Sequence, residues 1–536
     1  MSYVSAEHST SEVNFAEHLE NLTQIGKALS AERNIDRLLE MIVDEGRSFT
    51  HADGGTLYIV DDEKKTLQFA IIQNDSLQVR MGGTAGHITW PPVQLYTDTE
   101  TPNYANVSSY AALSGEVVNI SDVYHAEKFD FEGTRTFDAK TGYRSQSMLV
   151  VPMRNHENDI IGVLQLLNAQ DASAGQVIPF SPKCQQLTES LASQAAVALT
   201  NNTLIKELEN LFESFIKTIA MAIDEKSPYT GNHGRRVVDL TMHIARAVDR
   251  SREGYFRDVH FDKDQMNEIR IAAWLHDVGK VAIPEHVLDK ATRLESISDG
   301  NGLLRTRSEV IKRDIEKKYA DSGQIDRATP PAGVTADGYE KEMAALAEDL
   351  AFIEYVNKEA AFLTDEDVAR VESIAARKWS VDGKEMNFLT DEELECLSVR
   401  RGTLTDRERD IVNSHTTIAH KMLSQISFPR RLQNVPFFAA SHHERLNGEG
   451  YPSGLKGDEI PLQARIIAFA DVFEALTASD RPYRKANTLS QAIKILGFMV
   501  KDRHLDEHLF DLFMKEKLHL EYAKRELDPE QIDVEL

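Results

Sequence analysis

The sequence predicts an α+β multidomain chain: an N-terminal α/β module, a long connecting helix, and a C-terminal region of helical character interrupted by a helical insertion. Three observations carry this reading. Short β-like runs are confined to the first third of the chain. An unbroken helical pattern follows over 184–222. Beyond it, His and Asp recur at helix-like positions. At 536 residues the chain is too long for one hydrophobic core, so two or more domains are expected.

The bulk composition narrows the function classes. A formal net charge of −26 disfavours broad binding to nucleic-acid polymers and leaves room only for a local phosphate site. The two cysteines, Cys184 and Cys396, lie far apart without CxxC spacing. That argues against a disulfide framework and thiolate zinc sites and fits a reducing cytoplasm. The first residues lack a basic, then apolar, leader pattern, and no stretch approaches the roughly 20 apolar residues of a membrane span. A cytoplasmic protein without membrane contact is therefore expected.

After an N-terminal arm (1–15), the module over 16–183 opens with a helix carrying Leu19, Leu22, Ile25 and Leu29 at helical spacing. Strand-like runs follow at 54–60 (GGTLYIV), 67–72 (LQFAII), 147–153 (SMLVVPM) and 160–168 (IIGVLQLLN). The order of these elements, with FDAKTGYRSQSMLVVPM and IIGVLQLLNAQ, resembles a GAF domain. The resemblance implies an antiparallel sheet with flanking helices and a pocket for an unidentified small-molecule ligand. One cyclic-nucleotide-binding subset of GAF domains carries an Asn-Lys, Phe, Asp-Glu signature. Here Asn168 and Phe180 are present, but Ala169 stands at the Lys position and Lys183-Cys184-Gln185 where the acidic pair is expected. A sensor that dimerises without a ligand stays open beside the ligand-binding reading.

The helical pattern over 184–222 places Leu187 and Leu191, then Leu204, Leu208, Leu211 and Phe215, at alternating steps of four and three residues. Such a stripe needs a partner. A parallel homodimer helix is the favoured reading, and a helix packed on its own domain is the alternative. The C-terminal region, 223–536, contains a charge-rich insertion at about 295–400 with helix-like stretches at 308–319, 340–356 and 365–378. Capping boxes are expected at Thr364 with Asp367 and Thr390 with Glu393. Pro330-Pro331 breaks the segment, and Met343, Leu346, Leu350 and Ile353 form one apolar face.

The chemistry-bearing residues of this region are His233, His276-Asp277, His415, His442-His443 and Asp471. Imidazole and carboxylate together suit iron, manganese, zinc or nickel. Neighbours on a helix point about 100° apart, so neither adjacent pair should face one ion in the same way. Two metal ions with Asp277 bridging resolve this. Such ions, about 3.5–4 Å apart, make a nucleophile of water and neutralise a phosphodiester. His243, His260, His286 and His420 are read as ordinary hydrogen-bonded histidines.

Four longer motifs then appear in order: SPYTGNHGRRV (227–237), AAWLHDVGKVAIP (272–284), SHHERLNGEGYPSGL (441–455) and ADVFEALTASDRPYR (470–484). Together they resemble the HD-GYP family over about 220–530, apart from the insertion. The resemblance implies an all-α HD-GYP bundle and a phosphodiesterase for a cyclic dinucleotide. The first expectation is cyclic di-GMP, opened to linear pGpG and onward to GMP under control of the GAF domain. Cyclic GMP-AMP, or a signalling protein that binds without turnover, is the alternative, and a nucleotide hydrolase of the wider HD superfamily ranks last. By resemblance, His233, His276, Asp277, His415, His442, His443 and Asp471 match metal ligands. Lys280 matches the lysine at the scissile phosphate, Arg481 and Arg484 match substrate-binding positions, and Gly450-Tyr451-Pro452 form the GYP loop. Iron or manganese is the first expectation for the metal, with zinc or nickel as alternatives. Tyr229 stands where three-metal members carry Glu, so two metals are expected. Thr416 replaces the usual Pro after His415, following a capping box at Thr405 and Glu408.

Overall fold

The computed structural model describes residues 23–61, 63–97, 100–171, 173–226, 232–296, 300–321, 337–360, 362–381, 383–479 and 486–534. The chain divides into two compact units, Met1–Leu211 and Phe212–Leu536.

In the first unit, α1 (Ile35–Thr50) starts at Asn34, whose side chain accepts from the Asp36 and Arg37 amides. It ends at His51 in the left-handed region. Strands β1 (Ala52–Asp61), β2 (Thr66–Asn74), β3 (Val79–Gly82), β4 (Val93–Gln94), β5 (Val118–Ile120), β6 (Met148–Arg154), β7 (Ile160–Gln170) and β8 (Val177–Ile178) form one sheet. Its order is β3-β2-β1-β7-β6-β5, with β4 on β2 and β8 on β7, and every pairing is antiparallel. Strand alternation splits the side chains of β6 between two cores. Leu149, Val151 and Met153 join Leu38 and Ile42 of α1 and Leu191, Ala195 and Leu199 of α4 (Pro182–Asp224) on one face. Met148 and Val150 pack on the other face against Val107 and Ala111 of α2 (Val107–Ser114) and against Phe129 and Phe131. The short helix α3 (Glu132–Thr141) completes this side. The expected antiparallel sheet with flanking helices is thus present. Of the predicted opening helix, residues 23–31 are helical, and Leu19 and Leu22 lie outside the described residues.

The second unit is a helical bundle. Its main core joins Val237 and Ile244 of α5 (His233–Arg250) and Ile269 and Ala272 of α6 (Lys263–Leu275) to later helices of the chain. Between them lie a short α7 (Glu285–Leu288) and the insertion, which has its own core of Leu304, Ile353, Val371, Phe388 and Leu397. The insertion contains α8 (Gly300–Asp321), α9 (Asp337–Lys358), α10 (Asp365–Ala375) and α11 (Asp391–Leu397). Leu346 and Ile353 of the predicted apolar face are buried there, and Met343 packs against them. The capping boxes at Thr364, Thr390 and Thr405 all form. The insertion is not wholly helical: α10 stops at Ala375, and β9 (Lys378–Val381) pairs with β10 (Lys384–Asn387). Arg293 is buried in this core and donates to the carbonyls of Val356 and Val399, near the C-terminal ends of α9 and α11.

The bundle closes with α12 (Asp406–Leu423), α13 (Val435–Ala440), α14 (Leu462–Thr477), α15 (Leu489–Lys501), α16 (Glu507–Lys515) and α17 (Leu518–Glu526). Ala419, Ala439, Phe469, Phe473, Leu496, Phe513 and Tyr522 carry these helices into the main core. Each buried Leu or Phe side chain among them contributes about 1.5–3 kcal/mol.

Candidate metal centre

Five elements of the bundle meet around one cluster. His233 is the first residue of α5, following Asn232 in the left-handed conformation. His276 closes α6, and Asp277 heads the 3-10 turn Val278–Ala282. His415 lies on α12 and Asp471 on α14, while His442 and His443 occupy the turn after α13. The turn reaches α12 because residue 279 is glycine. A Cβ there would stand 1.8 Å from the His415 carbonyl oxygen.

The imidazoles share one orientation device. The Nδ1 atoms of His276, His415 and His442 donate to the carbonyls of Ala273 (2.7 Å), Val412 (2.7 Å) and Ala439 (2.6 Å), each three residues back. His233 Nδ1 instead donates to Glu474 Oε2 at 2.5 Å. With Nδ1 protonated, Nε2 of each ring in its neutral form presents a lone pair. Nε2 of His276, His415 and His442 and Oδ1 of Asp277 are buried without a hydrogen-bond partner. An unpaired buried acceptor costs roughly 1–3 kcal/mol. Four of them in one cluster fit divalent cations, which would take those lone pairs.

The acceptors fall into two groups. The ligating atoms of His233, His276 and Asp277 lie within 4.8 Å of one another, as do those of His415, His442 and His443. Asp277 spans them. Its Oδ2 is 3.6 Å from His233 Nε2 and 3.2 Å from His276 Nε2, and its Oδ1 is 3.6 Å from His415 Nε2. Asp471 Oδ1 lies 3.4 Å from His233 Nε2 and 3.9 Å from His276 Nε2. Each adjacent pair falls within one group, His276 with Asp277 and, on a turn, His442 with His443. The two histidines of the second pair follow α13 instead of continuing it, and their rings tilt together at 4.0 Å.

The electrostatics suit cations. Burial pushes the His415 and His442 imidazoles down, and His443 to about 3, so these rings stay neutral ligands. Burial acts the same way on His233 and His276, yet the surrounding carboxylates overcome it and raise both. Burial would raise Asp277 and Asp471, but Lys280 and His276 hold the first, and His233 the second, well below the usual carboxylate range. Lys280 reaches Asp277 Oδ2 at 2.6 Å.

Residues of the same motifs to which the sequence assigned no role support this cluster. Glu474, fully buried one turn after Asp471 on α14, binds His233 and accepts from Arg236 Nε at 2.6 Å. Their place inside the motifs at 470–484 and 227–237, and the i, i+3 relation of Glu474 to Asp471 and of Arg236 to His233, are the sequence signals that could have found them. Glu444 is buried and accepts from the Ser453 and Leu455 amides at 2.7 and 2.9 Å, holding the loop of Gly450-Tyr451-Pro452. A Cβ on Gly450 would stand 2.4 Å from the Arg445 nitrogen. The Tyr451 ring lies 4.9 Å from that of His443, and burial pushes its phenol up. Arg481, Arg484 and Tyr229 lie outside the described residues. His243 Nδ1 bonds the Asp239 carbonyl, His260 pairs with Asp249, His420 faces the Pro436 carbonyl, and His286 is exposed.

In the first unit, Asn168 has a structural task. It accepts from the Gln146 amide (2.7 Å) and donates to the Arg144 carbonyl (2.8 Å) and the Tyr143 hydroxyl (2.9 Å). Ala169 and Phe180 are buried in the core. A groove of about 390 Å³ beside the edge strand β5 is lined by residues that include Tyr110, Glu116, Asn119, Lys128 and Phe129.

Fold and site together define a class: an α/β module followed by a helical bundle with two His/Asp groups that could hold metal ions. Comparison with known proteins gives the families. The GAF-domain family model matches residues 34–199, and the HD-domain model matches 392–509, the part of the bundle after most of the insertion. The chain thus carries a match to a GAF domain followed by a match to an HD domain. A cyclic di-GMP phosphodiesterase response regulator of Xanthomonas campestris is 39% identical over 123 residues, 23% of this chain and 32% of that protein. A 3′3′-cGAMP-specific phosphodiesterase of Vibrio cholerae is 40% identical over 114 residues (21% and 26%). A cyclic di-GMP phosphodiesterase of Thermotoga maritima is 37% identical over 131 residues (24% and 35%). The chain thus spans about a quarter to a third of the length of these relatives.

Proposed function

We propose that the protein is a metal-dependent phosphodiesterase that hydrolyses a cyclic dinucleotide, cyclic di-GMP first, to linear pGpG and onward to GMP, regulated through its GAF domain. The observation that carries this reading is the set of buried, unpartnered Nε2 and Oδ1 atoms divided into two groups by one carboxylate. In this reading His233, His276, Asp277 and Asp471 hold one cation, His415, His442 and His443 hold the second, and Asp277 bridges. Iron or manganese is the first expectation for their identity. Bound there, two divalent cations would supply Lewis acidity to the phosphodiester and activate water for attack. Lys280, drawn to the cluster by Asp277, places an ammonium where negative charge develops on the phosphoryl oxygens. Arg481 and Arg484 are assigned to the substrate's phosphates or guanine edges.

The protein acts as a homodimer in the cytoplasm. On α4, Leu204, Leu208, Leu211 and Phe215 are 49%, 67%, 53% and 59% exposed, an apolar stripe at coiled-coil spacing that a second copy would cover. Among the described residues no helix is long and apolar enough to cross a membrane. The GAF domain takes a small-molecule ligand. Domain limits of 16–183, 184–222 and 223–536, with the insertion at about 295–400, go with this reading.

The test is turnover of metal-reconstituted protein against cyclic di-GMP, 3′3′-cyclic GMP-AMP and cyclic di-AMP, with the linear products resolved by chromatography. Cleavage of a guanine-containing cyclic dinucleotide, lost in Asp277→Ala, is the expected result. Relatives of both specificities match at similar identity, so the preferred substrate is itself an outcome. No cleavage at full metal occupancy would overturn the enzymatic reading in favour of a binding protein.

A further inference from the structure

We propose that Lys226 is a positioning residue of the phosphodiesterase site, holding the turn that carries Asp277 and Lys280 to the end of α4. The inference rests on the function proposed above.

The geometry is specific. Lys226 lies two residues past the end of α4, and its Nζ donates to the carbonyl oxygens of Lys280 (3.0 Å), Val281 (2.6 Å) and Ile283 (2.6 Å). An ammonium has three donors, and here each meets one carbonyl of a single turn. That turn is a short 3-10 segment, flanked by a bond from the Lys280 amide to Asp277 O and one from the Ile283 amide to Lys280 O. The Lys280 backbone is therefore fixed by Lys226, while its side chain is directed by Asp277.

The same corner grips a second element. Asp224 Oδ2 accepts from the Gly234 amide at 3.3 Å, one residue after His233. Further back on α4, Glu213 pairs with Arg270 Nη1 at 3.1 Å on α6, the helix that ends at His276. The last turns of α4 thus hold both elements that deliver the first group of candidate ligands. Lys226 is the one cation described between that helix and the turn of Lys280. Any rotation or withdrawal of the end of α4 breaks three bonds to that turn before it touches a ligand.

Lys226→Met keeps the length of the side chain and removes its donors; Lys226→Arg keeps charge and donors. The experiment measures kcat and KM of the full chain on cyclic di-GMP, the metal content, and hydrogen exchange of the 277–284 peptide. Expected for Lys226→Met is a fall in kcat of about 10- to 100-fold, the range for residues that orient a metal site through its ligands. KM should stay within about threefold, the metal content equal to wild type, and the turn should exchange faster. Lys226→Arg should recover most of kcat. Unchanged kcat with unchanged exchange in Lys226→Met would overturn the proposal. So would faster exchange throughout α5 and α6 with loss of metal, which would make Lys226 a residue of general stability. If the wild type turns over no cyclic dinucleotide, the functional reading has failed, and the exchange arm alone decides whether Lys226 holds the turn.

Discussion

Replacing Glu474 by Gln tests how the cluster is organised without touching any candidate ligand. The carboxylate is fully buried and makes two charge-assisted bonds, with His233 Nδ1 at 2.5 Å and Arg236 Nε at 2.6 Å. Glutamine keeps the shape but loses the charge. Its amide oxygen can accept from only one side well, and its NH2 opposes the other donor. A charge-assisted bond contributes about 1.5–3 kcal/mol and a neutral one about 0.5–1.5 kcal/mol, so the two together lose roughly 2–3 kcal/mol. His233 then has no carboxylate to keep its proton on Nδ1, so its Nε2 lone pair is presented to a cation less often. The loss in metal affinity expected from an outer carboxylate is about 10- to 100-fold, or roughly 1.4–2.8 kcal/mol. Competition with a chelator of known affinity, read by the metal retained per chain, measures it directly, and denaturant unfolding of the metal-free protein measures the stability term separately. Metal affinity within about twofold of wild type would refute the assignment of His233 as a ligand oriented by Glu474.

Gly279→Ala places a methyl 1.8 Å from the His415 carbonyl. Overpacking costs about 1–3 kcal/mol, so a lower denaturant midpoint and metal occupancy below wild type are expected; unchanged occupancy would show that the turn need not touch α12. Glu408→Gln leaves Lys290, whose side chain is 1% exposed, without the carboxylate that it binds at 2.7 and 2.8 Å. With Glu408 itself 21% exposed, the cost should be about 2–3 kcal/mol at neutral pH, below the 3–5 of a fully buried pair. Burial raises the Glu408 carboxyl, but Lys290 and Thr405 hold it below its ordinary 4.5. Its contribution is therefore complete above about pH 4.5 and fades as the pH falls through the lower folded value. Urea midpoints of wild type and variant should converge in acid; a constant gap would contradict the pairing. Leu208→Glu puts a charge in the exposed stripe of α4, and sedimentation should show a dimer becoming a monomer while the metal content stays constant. An identical oligomeric state in both proteins would remove α4 as the dimer seam.

What the sequence disclosed and what it hid follow from physics acting at different ranges. The runs at 54–60, 67–72, 147–153 and 160–168 are rich in β-branched and aliphatic residues, so they mark β1, β2, β6 and β7 directly. The hairpin of Lys378–Val381 and Lys384–Asn387 was hidden because KWSV and KEMN lack that composition, and its second strand is exposed along its whole length. β5 has three residues and pairs only with β6, so tertiary pairing alone makes it a strand. At the site, His233, His276, Asp277, His415, His442, His443 and Asp471 announce themselves because few other side chains can ligate a borderline metal. Glu474 and Arg236 lie inside two of the quoted motifs, but they are common residue types, and residue type alone does not separate them from the solvated charges of the same helices. Their role exists only after α5 and α14 have packed together. The placement of His442 and His443 was hidden for a related reason: where α13 stops decides whether the two rings diverge or converge, and Ser441 gives no sharp stop signal.

The long helix shows the limit of periodicity most directly. Leu191 and Leu208 belong to the same pattern of steps in the sequence, yet Leu191 is buried against the sheet of the first unit and Leu208 is 67% exposed. Period and composition state that an apolar face exists; they do not state what covers it. From 203 to 211 every residue is exposed. Burial resumes at Ile216 and Ala220. One continuous helix therefore serves as a core element, then carries an exposed apolar stripe among polar residues, then borders a candidate metal site. A helix that is apolar and uncovered at its middle while anchored at its ends gains most from a second copy laid along it.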